Sequence, residues 1–483
     1  MLTRRRFAQL GAMASASMAL EGAARGSLGE QTAATATSST MAGAADFTLD
    51  IAPYVLEASP KHRYPTVAYN GQVPGPLLRM KQGRTVTVAV HNHSADAEIV
   101  HWHGLFLPPE TDGAMEEGSP MIAPGASTRL TFAPDPAGFR WFHTHTFAGN
   151  DMRKGQYSGL HGFLMIEGGE EHGYDREIFL ALHDWGGREM PSSDGSAIPD
   201  YEVATINGKM LGFGEPVRVK QGERVMMHVL NSSPTEVHWI ALAGHSFQVV
   251  ALDGNAIAEP RATPMLRLAP AERASAIVSM NAPGVWVLGE VRKHVQAMGM
   301  GIVIEYANAT GAPKWIQPVD LISSSDYYAH FAAEIETSLS TFVSSGKVSP
   351  TLRPSSPSAD AVIEIPLAFD SHFEGHGNPE IWRINGKSYP NTESPALRAG
   401  QRYRLVMKNL STDDHPIHLH RHTFEVTSVG GLSMRGLMKD VLLIPAQKTS
   451  EVEFTANHPG NTLFHCHQQD HMDRGFMMVF RYA

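Results

Sequence analysis

One pattern recurs three times along the 483-residue chain, and a duplicated unit restricts the fold more than any other feature of this sequence. Each copy runs Asn-Gly, then Gly, then Asn: Asn70-Gly71, Gly83 and Asn92; Asn207-Gly208, Gly222 and Asn231; Asn385-Gly386, Gly400 and Asn409. The second Gly precedes the second Asn by nine residues in every copy, the length of one strand between two turns. From about Asp46 onward the chain reads as strands cut by Pro and Gly turns, as in Arg84-Thr85-Val86-Thr87-Val88-Ala89-Val90. An all-β protein of three related units is expected.

The copies differ in chemistry. Nine and eleven residues past the second Asn, the first copy has His101 and His103 and the third has His418 and His420, whereas the middle copy has Ile240 and Leu242. Five residues past a later turn glycine (Gly138, Gly460) come His143 and His465, followed by His145 and His467; the middle copy has Gly289, Glu290 and Val291. Side chains at i and i+2 of a strand share a face, so each His-x-His pair can reach a common point. Four matched pairs supply eight imidazoles, and the outer copies are expected to share a metal site with the middle copy as spacer. His91 and His93 show the same spacing but face Leu230 and Ser232, or Lys408 and Leu410, in the other copies, and read as surface residues.

The 25 histidines stand beside a single cysteine, Cys466, which excludes an intrachain disulfide. Imidazole and thiolate are the donors that borderline and soft transition metals prefer. Cys466 lies between His465 and His467, so strand alternation sends its sulfur to the opposite face from both imidazoles. With His471 and His415 it completes one thiolate and two imidazoles, the trigonal blue-copper set. One peptide segment therefore touches two metal centres.

His101-Trp102-His103-Gly104, Trp141-Phe142-His143-Thr144-His145, His415-Pro416-Ile417-His418-Leu419-His420 and His465-Cys466-His467-Gln468-Gln469-Asp470-His471 resemble the four copper motifs of the three-domain multicopper oxidases, the laccase family. The likeness runs from about residue 46 to the C-terminus and includes Thr205-Ile206-Asn207-Gly208-Lys209 and Leu268-Ala269-Pro270-Ala271-Glu272-Arg273. It implies an all-β fold of three Greek-key cupredoxin-like β-sandwiches, at 45–170, 171–315 and 361–483, with a linker at 316–360. It also implies four copper ions. The type 1 ion would take His415, Cys466 and His471, and the type 2 ion His101 and His418. The type 3 pair would divide His103, His143 and His467 from His145, His420 and His465, and electrons would pass from Cys466 through His465 and His467.

Reducing dioxygen consumes protons, so a carboxylate near the cluster is expected. Asp112 is the candidate, because the family places a proton-relaying Asp after its first histidine motif; Thr111-Asp112-Gly113 also reads as a turn. Glu116 and Glu117 read as a solvated face. An acidic position familiar just after the second type 1 histidine is occupied here by Met472. Many bacterial relatives carry an axial methionine ten residues after the cysteine, where this chain has Phe476. A phenyl ring cannot ligate copper and Met477 would face away, so a three-coordinate type 1 centre of raised potential is expected. His422 continues the alternation but matches no ligand position, and His183, His294, His372, His376 and His458 have no partner at metal spacing.

Thr3-Arg4-Arg5-Arg6-Phe7 and the Ala-rich stretch after it resemble a twin-arginine export signal within residues 1–44, with Ala14-Ser15-Ala16 and Ala42-Gly43-Ala44 as alternative cleavage regions. A periplasmic or secreted location follows from that reading. Asp and Glu exceed Lys and Arg by 49 to 39, which argues against a nucleic-acid partner. No run reaches the ~18 apolar residues of a membrane span, and a monomer is the expectation. The expected partners are dioxygen and a small-molecule electron donor, a phenol or aromatic amine. Two alternatives remain open. Met434, Met438, Met472, Met477, Met478 and Asp440 suit a cuprous or other metal-ion oxidase, and a copper-free scaffold of the same fold belongs to a different class.

Overall fold

The computed structural model describes residues 43–149, 151–168, 173–191, 197–318, 359–370 and 381–483. The twin-arginine segment, most of the 316–360 linker, His372 and His376 lie outside the described residues. Residues Ala45–Ala483 form one compact unit. No helix among the described residues is long and apolar enough to cross a membrane.

Each repeat builds a pair of sheets. The first lobe has two four-stranded sheets, and the middle and third lobes each have one six-stranded and one five-stranded sheet. In every lobe the opening strand lies parallel to the strand that ends at the repeat's second Asn: Phe47–Ser59 with Val86–Asn92, Arg176–Trp185 with Arg224–Asn231, and Ala361–Asp370 with Arg402–Asn409. Parallel neighbours cannot be joined by a hairpin, so the chain crosses to the second sheet between them. The result is three cupredoxin-like sandwiches.

The repeated residues are structural devices. Asn70-Gly71, Asn207-Gly208 and Asn385-Gly386 all hold positive φ, between 52° and 74°, as the tight type I′ hairpin turn demands of both central residues. The second Asn is a buried staple. The amide groups of Asn92, Asn231 and Asn409 each donate to two or three backbone carbonyls, while each side-chain oxygen accepts the N–H of Ser94, Ser233 or Ser411. Each staple closes the loop that leads into the strand where the outer lobes carry their first histidines. Asn409→Ala strands several of these groups without partners and is expected to cost about 2–4 kcal/mol, read as a lowered midpoint of chemical denaturation.

Strand register sets the histidines in place. His101 pairs with His143 across Val100–His101 and Gly138–Thr144, and His418 pairs with His465 across His415–Leu419 and Thr462–Cys466. In the middle lobe Ile240 lies opposite Glu290. Spacing alone matched Gly289 to this position, and the register corrects that match by one residue. Glu290 is buried and bonds to His238 and Arg292. An internal ion pair thus fills the place where the outer lobes put imidazoles. The strands bearing His143 and Cys466 are almost wholly buried. One reason is visible in the apolar contacts between lobes, where Phe139 and Trp141 meet Ala181, Leu230, Ala271 and Val441.

Candidate metal centre

The four His-x-His pairs converge between the first and third lobes. His101 stacks on His420 with ring centroids 4.0 Å apart, and His103 stacks on His418 at 3.8 Å. Each stack joins one ring from each lobe, so the cluster exists only where the two lobes meet. Donor atoms gather into buried triads: His101, His103 and His418; His103, His143 and His467; His145, His420 and His465. All eight rings are buried.

Burial, reinforced by neighbouring imidazoles, holds His103, His143, His418, His420, His465 and His467 well below the ordinary histidine range and brings His145 to about 3. These rings are neutral at neutral pH, the form in which imidazole binds metal. His101 Nε2, His103 Nδ1, His143 Nε2, His418 Nε2 and His467 Nε2 have no hydrogen-bond partner. His420 Nε2 and His465 Nε2 face each other at 3.1 Å. Buried polar atoms without partners cost free energy. Cations of the borderline class satisfy such inward-facing nitrogens, so the donor set fits copper.

A separate triad joins His415, Cys466 and His471. The Cys466 sulfur lies 3.5 Å from His471 Nδ1 and 3.9 Å from His415 Nδ1. Burial pushes the thiol up, so formation of the thiolate is coupled to cation binding. Phe476 is fully buried with its ring 4.8 Å from that of His415, and Trp382 lies 4.0 Å from the His471 ring. Met477 packs instead with Ala114, Leu463 and Met472, in a separate apolar cluster. The sulfur and the flanking imidazoles occupy opposite faces, with His465 and His467 in the first cluster and Cys466 in the second.

Asp112 ends the short helix Pro109–Asp112. The next residue, Gly113, has φ 93° and passes so close to Val100 that a Cβ would sit 1.9 Å from its carbonyl oxygen, so only glycine fits. That turn aims Asp112 inward. Its backbone carbonyl accepts from His101 Nδ1 at 2.8 Å, and its Oδ2 accepts from His420 Nδ1 at 2.9 Å. Asp112 thus both supports the turn and touches the cluster.

The solvated-face reading fails for Glu117, which is buried. Its Oε1 accepts from Leu463 N at 2.6 Å and lies 3.5 Å from His420 Nδ1. Burial and the neighbouring Asp112 push Glu117 up. The site therefore has a second carboxylate, supplied by the first lobe rather than by the segment after His471, where Met472 is buried among apolar residues. Asp440 is likewise in the interior, against His103 and Arg273. Nothing in the linear pattern ties Glu117, Asp440 or Arg273 to the histidines, because their side-chain contacts toward the cluster cross lobes.

The remaining histidines among the described residues stay outside the clusters. His422 bonds to the His420 carbonyl and to Tyr482, and His183 to Ser232. His91 meets Ser127, His93 faces Asp50, His458 packs on Phe106, and His294 is exposed. Of the five methionines near the type 1 motifs, Met434, Met472, Met477 and Met478 are buried.

Three multicopper oxidase family models match the chain, at residues 54–171, 179–304 and 365–483. The multicopper oxidase MmcO of Mycobacterium tuberculosis is 28% identical over 447 residues, spanning 85% of this chain and 82% of that protein. Laccase-6 of Oryza sativa subsp. japonica is 24% identical, spanning 86% of this chain and 88% of its own length. The solved structure of Fet3p, a multicopper oxidase that functions in iron import, superposes with a TM-score of 0.75 at 19% identity, covering 90% of each chain. With matches along all three lobes and both donor clusters between and within them, the chain belongs to the multicopper oxidase family, laccase-like enzymes that use copper to oxidise a donor at the expense of dioxygen.

Proposed function

We propose that this protein is an exported oxidase of phenols and aromatic amines that holds four copper ions and reduces dioxygen to water. One observation carries the reading: residues 465–467 place two imidazoles in the shared cluster and the intervening sulfur in the separate His415–Cys466–His471 triad. Copper, when bound, supplies one-electron redox chemistry at the sulfur-bearing triad and four-electron oxygen chemistry at the histidine cluster. His415, Cys466 and His471 would hold the type 1 ion, and His101 and His418 the type 2 ion. His103, His143 and His467 would hold one type 3 ion, and His145, His420 and His465 the other.

The protein's own residues set the rest. His471 keeps 5% of its surface exposed, and in this reading a donor passes its electron to that edge. Burial brings His471 to about 3, which keeps the ring neutral and able to bind metal. Cys466 offers a covalent electron path through one peptide link to each neighbouring histidine. Asp112, bonded to His101 and His420, would hold or pass a proton. The twin-arginine resemblance of the N-terminus supports a periplasmic or secreted location.

Phe476 presents no donor atom to the type 1 triad, which supports a three-coordinate centre of raised potential. Phe476→Met is expected to lower that potential, by about 59 mV for every tenfold gain in preference for the cupric state. Redox titration of the type 1 absorption band reads it. An unchanged potential would mean that the introduced thioether does not reach the ion.

Substrate choice is tested by oxygen uptake with a methoxyphenol, an aromatic amine and cuprous ion. Turnover on the first two above that on cuprous ion supports the proposal. Turnover confined to cuprous ion would assign a metal-ion oxidase, a role that the four buried methionines do not favour. A copper-free scaffold would turn over none of them.

A further inference from the structure

We propose that Arg273, from the lobe without copper ligands, is a positioning residue for the oxygen-side cluster. Its guanidinium fork fixes the Asp440 carboxylate, and Asp440 fixes the rings of His103 and His418. The proposal rests on the copper reading above.

Two aspartates bracket the histidine cluster in the same way. The Asp112 carbonyl accepts from His101, in its own lobe, and its carboxylate accepts from His420 across the interface. The Asp440 carbonyl accepts from His418 Nδ1 at 2.7 Å, again within the lobe, and its Oδ1 lies 3.3 Å from His103 Nε2 across the interface. Each aspartate thus ties both rings of one stacked pair, Asp112 those of His101 and His420 and Asp440 those of His418 and His103. The correspondence is hidden in the sequence, because Asp112 follows His101 by 11 residues and Asp440 follows His418 by 22.

Their surroundings differ. Asp112 Oδ1 has no hydrogen-bond partner, and the nearby Glu117 is another acid. Both Asp440 oxygens are taken. Arg273 Nη1 donates to Oδ1 at 2.6 Å and Nη2 to Oδ2 at 2.7 Å, a bidentate fork. Arg140, from the first lobe, approaches Oδ2 at 3.3 Å. The fork is itself held: Asp253 Oδ1 accepts the Arg273 backbone N–H, and the carbonyls of Asp253 and Ala271 accept from its guanidinium. Lys439 then pairs with Asp253 at 2.9 Å and Glu272 at 3.1 Å. Gly104, next to His103, leaves room for the carboxylate, since a Cβ there would lie 2.6 Å from Asp440 Oδ2.

This assembly buries Arg140, Arg273 and Lys439 with Asp253, Glu272 and Asp440, drawn from all three lobes. Desolvation offsets much of the attraction in such a network, so the network is a weak source of stability. What it does provide is direction. A flexible ammonium could neutralise Asp440, whereas a planar fork also orients it. Groups that hydrogen-bond to metal-binding histidines set ring orientation and metal affinity. The middle lobe therefore does more than space the other two; it supplies the arginine that aims one side of the cluster.

The test compares copper-loaded wild-type protein with Arg273→Met and Arg273→Lys, using Arg402→Met as a control. Arg402 is a buried arginine bridging Glu425 and Glu453 within the third lobe. Readouts are the type 1 absorption band, the type 2 electron paramagnetic resonance signal, copper affinity and the rate at which dioxygen reoxidises the reduced protein. Arg273→Met should keep the type 1 band, change the type 2 signal, and weaken type 2 copper binding by about 10–100-fold. Arg273→Lys should recover part of that loss, and Arg402→Met should lower stability with a normal type 2 signal. If Arg273→Met gives no folded protein, Arg273→Lys against wild type carries the same comparison. A wild-type signal and reoxidation rate in the Arg273 variants, or the same spectral change in Arg402→Met, would overturn the proposal. Failure of the wild-type protein itself to bind copper would instead defeat the copper reading on which the proposal rests.

Discussion

Cys466→Ser is expected to bring donor-driven oxygen uptake down to background while leaving the histidine cluster loaded. The sulfur is the sole thiol of the chain and lies in the triad with His415 and His471. Its two sequence neighbours lie in the other cluster, so the substitution removes both the soft donor and the start of the path between the centres. The imidazoles of His465 and His467 keep their strand and their burial, because serine is smaller than cysteine and the alternation is unchanged. Absorption spectroscopy should show loss of the thiolate-to-copper band, and metal analysis should show about one ion fewer per chain. Sustained phenol oxidation by this variant would mean that electrons enter the cluster by another route.

Asp112→Asn is expected to slow reoxidation of the reduced protein by about 10²-fold or more, within the range that general acid catalysis supplies. The amide can keep a hydrogen bond to His420, so ring position should change little and copper content should hold. What is lost is a group able to carry a proton. Glu117→Gln is expected to have a smaller effect of the same sign, because Glu117 lies 3.5 Å from His420 while Asp112 accepts from the same nitrogen at 2.9 Å. Stopped-flow reoxidation separates this step from donor oxidation, whose rate should be unaffected. Equal reoxidation rates in wild type and Asp112→Asn at every pH would remove Asp112 from proton delivery.

Features written into local periodicity are legible in the sequence. The Asn-Gly turns, the strand between each second Gly and second Asn, and the His-x-His pairs each obey a short-range rule, and the three copies reinforce one another. The opposite-face position of Cys466 followed from strand alternation alone. Features made by contacts between lobes were not legible. Glu117 is polar and follows another acid, the usual mark of a solvated face, yet the third lobe covers it and Leu463 donates to it. Asp440 reads beside Met434 and Met438 as a donor-side acid, and only the approach of Arg273 and His103 shows its position inside. The middle lobe lacks histidines at the matched positions, so its contribution through Arg273 has no signal in the ligand pattern.

Copper analysis joined to electron paramagnetic resonance on fully loaded protein tests the central claim most directly. The expected result is about four copper ions per chain, of which one gives a type 1 signal dependent on Cys466, one gives a type 2 signal, and a coupled pair is silent. Binding of a single ion, or of none, after complete loading would contradict it, as would full copper content without a thiolate-to-copper absorption band.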